Sequence, residues 1–179
     1  MVFEATYFRI YMVDTLSVFA ANYLWYVIIG IAAIYFLIQS RPEQKRVLIF
    51  AALVLPLVYL VSILGGALYD DPRPFVMGRF VPLIPHKANN GFPSDHVLWS
   101  ASTAAIIFLS NKYLSLILWL LTILVGAARV YVGVHHPIDI VGSIAMAILV
   151  ASIVYLIIRR MKLFRDSTKS RPTQASREL

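Results

Sequence analysis

The 179-residue sequence is strongly apolar: 60% of its residues are hydrophobic, 14% are charged, and the mean hydropathy is +0.77. Soluble domains contain roughly 45 to 50% apolar residues, so the composition excludes an ordinary soluble protein and predicts an integral membrane protein. The absence of cysteine excludes disulfide bonds and thiolate chemistry. The net charge of +7 does not indicate nucleic-acid binding, because the basic residues lie beside apolar runs and aromatic-rich basic motifs are absent.

The N-terminal stretch, residues 6–22, carries Arg9 and Asp14 among aromatic and aliphatic side chains. This mixture predicts an amphipathic helix that lies in the membrane interface, with a sixth full span as the alternative. The stretch does not resemble a cleaved signal peptide, because no basic region precedes a clean apolar run and no small-residue cleavage site follows.

Five further segments are apolar enough to cross a membrane, whose hydrocarbon core of about 30 Å requires about 20 helical residues. They are residues 20–39, 47–68, 95–110, 113–130 and 138–158. The third is the shortest and most polar, which predicts a helix packed inside the bundle. The predicted fold is therefore all-α, a polytopic membrane bundle of five transmembrane helices plus the N-terminal helix. It forms one domain over residues 1–160, and the basic residues 161–179 are expected to be a disordered cytoplasmic tail.

The distribution of charge predicts the orientation of this bundle in the membrane. Lys and Arg mark cytoplasmic loops, and most of them lie in three segments on one predicted side, around residues 41–46, at Lys112 and after residue 158. All four histidines lie on the opposite, outer side: His86, His96, His135 and His136. Ionisable groups at the membrane edge are costly and by default mark a functional site. We therefore expect the chemistry on the outer face.

Two polar blocks on that face contain elements of an anion site. In DDPRPFV, Arg73 stands between two prolines, and its planar guanidinium fork matches phosphate oxygens. In GFPSDH, Pro93 and Ser94 predict the start of a helix, whose free N–H groups favour phosphate, with His96 in the first turn. Taken separately, each block also fits a residue that merely reaches the lipid headgroups or caps a helix.

The third block is ARVYVGVHHPID, in which Pro137 fits the first position of the last helix. Asp139 then lies in the first turn, where its carboxylate can accept an N–H from the His135 ring and leave the other ring nitrogen as a nucleophile or base. Arg129 ends the preceding span and can reach the same pocket. A zinc site made of histidines and aspartates is the rival, although neighbouring arginines favour an anion over a dication.

Together the three blocks resemble the signature of the type 2 phosphatidic acid phosphatase superfamily: Lys-x6-Arg-Pro, Pro-Ser-Gly-His and Ser-Arg-x5-His-x3-Asp. They read Arg73-Pro74, Pro93-Ser94-Asp95-His96 and Arg129-x5-His135-x3-Asp139. Within the superfamily, residues 45–158 are most similar to the bacitracin-resistance type of undecaprenyl-diphosphate phosphatase. The resemblance implies an enzyme without a cofactor or metal, whose partners are a lipid diphosphate and membrane lipids.

The resemblance also implies a division of labour among the matching residues. His135 attacks the terminal phosphorus and forms a phosphohistidine, while Asp139 orients its imidazole. His96 protonates the leaving oxygen and later accepts a proton from water. Arg73, Arg129 and Ser94 hold the phosphoryl oxygens. A phosphatase for phosphatidylglycerophosphate, phosphatidic acid or lipid A using the same residues is the enzymatic alternative, and a transporter or anion-binding protein is the non-enzymatic one.

The chain departs from the signature at three positions. Gly66 stands where the family lysine is expected, and Lys87 or Arg79 is the candidate replacement among the phosphate-binding cations. Ala128 replaces the serine before Arg129. Asp95 replaces the glycine of the second block, and although it belongs to the expected phosphate-binding set, its charge requires it to point toward a cation, a helix amide or a counter-ion.

Overall fold

A computed structural model describes the backbone of residues 2–161 and the side chains from residue 10 onward. Its six helices are α1 (Val2–Leu37), α2 (Arg41–Leu68), α3 (Pro74–Gly78), α4 (Asp95–Phe108), α5 (Lys112–Tyr131) and α6 (Pro137–Arg160). The prediction of an all-helical membrane bundle is confirmed. The predicted tail, residues 161–179, lies outside the described residues apart from Met161.

Several helix starts follow directly from the sequence. Pro137 occupies the first position of α6, as predicted, since its missing N–H has no partner to lose there. Asn111 caps α5, and its side-chain oxygen accepts hydrogen bonds from the backbone N–H groups of Tyr113 and Leu114. Ser94 precedes α4 in an extended conformation, although its side chain makes no cap hydrogen bond.

The N-terminal stretch differs from the prediction of a separate interfacial helix. It continues without a break into the first span, so α1 is one helix of 36 residues. The physical reason lies in the sequence, because no proline or glycine interrupts residues 2–29. The part from Ile10 to Leu37 has the length and hydropathy of one membrane span.

The predicted count of five spans is also not confirmed. Four described helices have the length and composition to cross a membrane: Ile10–Leu37 of α1, α2, α5 and α6. The helix α4 has 14 residues, which at 1.5 Å per residue is about 21 Å and short of the hydrocarbon thickness. It still connects the two ends of the bundle, because Ser110 beyond its C-terminus donates a hydrogen bond to Glu43 at the start of α2.

The core is organised around α4, as its polar sequence predicted. One apolar cluster joins α4 to α2 and α6 through Leu98, Phe50 and Val150, and a second joins it to α1 and α5 through Val97 and neighbours. The serines of α4 satisfy their hydroxyls locally; Ser100 and Ser102 donate to backbone carbonyls one turn earlier. Because α4 is enclosed, its N-terminus is held in place beside the loops that precede it and the start of α6.

Candidate active site

The centre of the site is a histidine–aspartate pair at the start of α6. Nδ1 of His135 lies 3.0 Å from Oδ2 of Asp139, and both residues are buried. The same carboxylate oxygen accepts the backbone N–H of His136 at 2.9 Å, which fixes the carboxylate at the helix start. A carboxylate accepts hydrogen bonds and cannot donate them, so Nδ1 of His135 carries the proton. The predicted pairing is present.

Two arginines approach the other nitrogen of the same ring. Nη1 of Arg73 lies 3.3 Å, and Nη2 of Arg129 3.4 Å, from Nε2 of His135. A guanidinium has only donors, so Nε2 faces both arginines with its lone pair. The structure thereby places a ring nitrogen with a free lone pair beside two cations whose donors suit an anion such as phosphate. Arg73 comes from the first block, and Arg129 and His135 come from the third, so the structure brings these two blocks together as predicted.

Arg73 is held in place by backbone and amide oxygens. Its Nε donates to Oδ1 of Asn89 at 2.9 Å, and its Nη1 donates to the carbonyl of Val134 at 2.8 Å. The carbonyl of Asn90 lies 3.4 Å from Nη2. These oxygens are neutral, so they orient the guanidinium without neutralising its charge. The sequence analysis did not identify the two asparagines, which carry no signal apart from their position in the polar loop.

Arg129 is oriented by a histidine that the sequence analysis left outside the site. Nε2 of His86 lies 3.0 Å from Nη2 of Arg129, and the His86 ring centroid lies 6.2 Å from that of His135. Since the arginine donates, His86 presents the Nε2 lone pair, and its Nδ1–H points to the carbonyl of Lys87 at 3.4 Å. Burial and the nearby Arg73 lower the pKa of His86 to about 4, so this ring stays neutral at physiological pH.

The second block, at the start of α4, forms one side of the site. The backbone N–H of Ser94 donates to Oγ of Ser143 at 2.9 Å, which attaches the start of α4 to α6. Within the described residues, Oγ of Ser94 is buried without a hydrogen-bond partner, as expected of a group that awaits a ligand oxygen. His96 is the second residue of α4 and is half-buried, with its ring edge-on to Trp25 at a centroid distance of 5.2 Å.

These side chains surround a cavity of about 370 Å³ between α2, the loop before α4, and α5. Its polar wall consists of Arg73, His86, Asn89, Asn90, Asp95, His96, Arg129 and His135. Its other wall consists of Tyr59, Ser62, Ile63, Phe92 and Pro93. Tyr59 and Ile63 lie on a face of α2 that is more than half exposed, at 55% and 51%. In a membrane protein such a face meets lipid, so the polar site is open toward the membrane.

Two predicted phosphate-binding residues occupy less central positions. Asp95 lines the cavity, but its side chain is exposed, and no ion pair within residues 10–161 holds it. Its charge acts on Arg73 and Arg129 through space. Lys87 is exposed and is not among the cavity-lining residues, and the same is true of Arg79.

Backbone atoms leave little room for a side chain at Gly66, the position at which the family signature has a lysine. A Cβ atom on Gly66 would lie 3.1 Å from the carbonyl oxygen of Phe92, tighter than most real contacts. The carbonyl of Gly66 also accepts a hydrogen bond from Nδ2 of Asn90 at 2.9 Å. The side chain of Asn90 additionally accepts the N–H groups of Asp71 and Phe92, so one amide joins the end of α2 to the loop before α4.

A second acidic residue, Asp71, lies next to the pair of His135 and Asp139, on the side away from the arginines. Nδ1 of His136 lies 3.0 Å from Oδ2 of Asp71, which is 9% exposed. Asp71, His136 and Asp139 each place one atom capable of binding a metal within 4.8 Å of the others. The zinc hypothesis had pointed to histidines and aspartates in this block, but Nε2 of His135 is directed away from this group, toward the arginines.

The environment of His135 leads to a testable titration. Burial lowers the pKa of His135, and the charges of Arg129 and Arg73 act in the same direction, while Asp139 opposes them. A lowered pKa keeps the ring neutral to a lower pH than a free imidazole, whose pKa is about 6.5. We expect the His135 ring signal in an NMR titration of the substrate-free protein, assigned by its loss in His135→Asn, to have its midpoint below that value. A midpoint at or above it would contradict this description of the site.

Comparison with known proteins places this geometry in a family. Residues 46–162 match the sequence profile of the PAP2 superfamily. The chain belongs to this superfamily. Its membership confirms the resemblance inferred from the three blocks. Arg73, Arg129 and His135 of those blocks line the cavity of this PAP2 protein, and Asp139 is buried in contact with His135. Together with the apolar helices, membership identifies a multi-pass bacterial membrane protein.

Individual relatives include more than one kind of lipid phosphatase. The chain is 30% identical over 139 residues to undecaprenyl-diphosphatase BcrC of Bacillus subtilis, covering 78% of this chain and 72% of that protein. It is 27% identical to lipid A 4'-phosphatase of Porphyromonas gingivalis, over 76% of this chain and 61% of the relative. Its fold is similar to the crystal structure of Aquifex aeolicus LpxE, with a TM-score of 0.67 and 23% identity over 81% of this chain and 86% of that one.

Proposed function

We propose that this PAP2 membrane lipid phosphatase hydrolyses undecaprenyl diphosphate to undecaprenyl phosphate and inorganic phosphate on the outer face of the cell membrane. The observation that carries the proposal is the Nε2 atom of His135 between the guanidinium groups of Arg73 and Arg129, 3.3 and 3.4 Å away. The similarity to the Bacillus subtilis undecaprenyl-diphosphatase supports the choice of substrate. The lipid-facing wall of α2 supports entry of the substrate from the bilayer.

The proposed reaction has two steps. In the first, the lone pair of His135 Nε2 attacks the terminal phosphorus, and the bond from that phosphorus to the bridging oxygen breaks. His96 gives a proton to the bridging oxygen, so undecaprenyl phosphate leaves. In the second, His96 removes a proton from water, the oxygen attacks the phosphohistidine, and inorganic phosphate leaves with Nε2 restored. In both steps the two positively charged arginines stabilise the negative charge of the transferred phosphoryl group.

Asp139 has a defined part in this scheme. When Nε2 becomes bonded to phosphorus, the imidazole ring gains positive charge, and the carboxylate 3.0 Å from Nδ1 stabilises that charge. The charge of the two buried arginines supplies the electrostatic role that a metal has in other phosphatases. The proposed enzyme therefore requires no metal, and a chelator is expected to leave its rate unchanged.

A substrate panel tests the choice of lipid. We expect the purified protein to release phosphate from undecaprenyl diphosphate with a higher kcat/KM than from lipid A, phosphatidylglycerophosphate or phosphatidic acid. The same panel with a chelator tests the metal-free scheme. The similarity to the lipid A 4'-phosphatase makes lipid A the most informative competitor. Equal or better turnover of any competitor would contradict the proposed substrate.

The proposed orientation is tested by cysteine labelling, since the chain contains no native cysteine. Lys87 in the site loop and Lys112 at the start of α5 are both exposed. We expect an impermeant thiol reagent to label Lys87→Cys in intact cells, and Lys112→Cys only after the membrane is opened. Labelling of both positions in intact cells, or of Lys112→Cys alone, would contradict an outward-facing site.

A further inference from the structure

The buried carboxylate of Asp139 has one oxygen that the catalytic pairing does not use. Its Oδ2 accepts from both His135 and His136, whereas its Oδ1 is buried and has no donor among the described side chains and backbone. A carboxylate oxygen left without a donor in a buried site is costly, so a proton or cation is expected at this oxygen.

The neighbour best placed to supply it is Asp71. One side-chain oxygen or nitrogen of each of Asp71, His136 and Asp139 lies within 4.8 Å of the others, and His136 Nδ1 contacts Oδ2 of Asp71 at 3.0 Å. The two carboxyl groups are close enough to share a hydrogen bond. Gly91 allows its backbone to lie close to this group, because a Cβ atom there would lie 3.0 Å from both Asp139 Oδ2 and the Asp71 carbonyl oxygen. The backbone of Asp71 is tied in place as well, since its carbonyl accepts the N–H of Gly91 at 2.8 Å.

We propose that Asp71 is a positioning residue that stays protonated and donates its carboxyl proton to Oδ1 of Asp139, so that the two acids share one proton. His136 completes the arrangement through its Nδ1–H, which is donated to Oδ2 of Asp71. The pair then carries one negative charge, and Asp139 is bound by donors on both oxygens. This inference concerns the contact between Asp71 and Asp139, and it rests on the proposed function only for its kinetic consequence.

Two features favour a proton over a divalent cation at this position. The guanidinium of Arg73 is close enough to act electrostatically on Asp139, so it would repel a divalent cation bound at the same place. Close carboxylates also resist simultaneous ionisation, as in other acid pairs that share a proton. Consistently, burial and a hydrogen bond with Asp139 raise the pKa of Asp71, against the opposing influence of His136.

The kinetic consequence follows from isosteric replacement. Asp71→Asn retains an N–H donor for Asp139 and an oxygen acceptor for His136, so kcat is expected to stay close to that of the wild type. Asp71→Ala removes both, and loss of hydrogen bonds to a charged group is expected to lower kcat by about 10- to 100-fold. A kcat of Asp71→Asn as low as that of Asp71→Ala would overturn the shared proton.

Infrared spectroscopy tests the proton itself and requires no substrate. At neutral pH the wild type should show the carbonyl band of a protonated carboxyl group, shifted by isotopic labelling of aspartate. The band should be absent from Asp71→Asn and retained in Asp70→Asn, a matched change at the exposed neighbouring residue. No difference between wild type and Asp71→Asn, or a band that appears only after a chelator is added, would overturn the inference. Failure of the substrate panel with this band intact would instead count against the proposed function alone.

Discussion

Replacing the nucleophile is expected to have the largest effect: His135→Gly should lower kcat by on the order of 10⁴-fold or more, as removal of a nucleophile does in other covalent enzymes. The reason is that Nε2 of His135 lies between the two arginines. His96 lies elsewhere on the cavity wall, so it is not placed to replace His135 as the nucleophile. Phosphate release from undecaprenyl diphosphate under saturating conditions measures the effect.

Chemical rescue separates loss of the nucleophile from loss of the fold. Added imidazole can enter the space left by the His135 ring and attack phosphorus in its place, so it should restore part of the activity of His135→Gly. Thermal unfolding of the variant provides the second control. A variant that hydrolyses the lipid at the wild-type rate without imidazole would contradict the assignment of His135 as nucleophile.

The second large effect is expected at Arg129, where Arg129→Lys should lower kcat by about 10³-fold, the scale of an arginine that stabilises phosphoryl transfer. Lysine retains the charge but lacks the planar fork, so it cannot contact His86 and the phosphoryl oxygens together as the guanidinium does. The loss should fall mainly on kcat, because the arginine is proposed to bind the transferred group most strongly in the transition state.

An exposed arginine supplies the matched control for that change. Arg79 directly follows α3 and lies outside the cavity, and Arg79→Lys should leave kcat and KM unchanged. If Arg129→Lys raised KM at constant kcat, Arg129 would bind the substrate without stabilising the transition state, against the proposed mechanism.

The fold could be predicted from the sequence where the signals were local. The apolar runs indicated the long helices, and Pro137 marked the start of α6 because proline tolerates that position. The predicted boundary between an N-terminal helix and the first span was wrong, since polar residues such as Arg9 and Asp14 are compatible with a helix and do not end it. The length of α4 was predicted to within a turn, while its depth in the membrane depends on packing that hydropathy does not describe.

The site was predictable to the extent that its chemistry recurs at fixed spacing. The four-residue separation of His135 and Asp139 across a helix start was enough to predict their hydrogen bond. The partners that orient the arginines were not predictable, because these contacts join distant parts of the chain: Arg73 to the carbonyl of Val134, and Arg129 to His86. Asparagine and histidine side chains in a polar loop have no pattern that distinguishes such a role from ordinary solvation.

Trapping of the covalent intermediate tests the central claim most directly. The purified protein is mixed with undecaprenyl diphosphate radiolabelled in its terminal phosphate, quenched in alkali on the timescale of one turnover, and digested to locate the label. The proposed mechanism predicts an alkali-stable, acid-labile label on the peptide that contains His135, and none in His135→Gly. Turnover with no label on the protein, or with label on a residue other than His135, would contradict it.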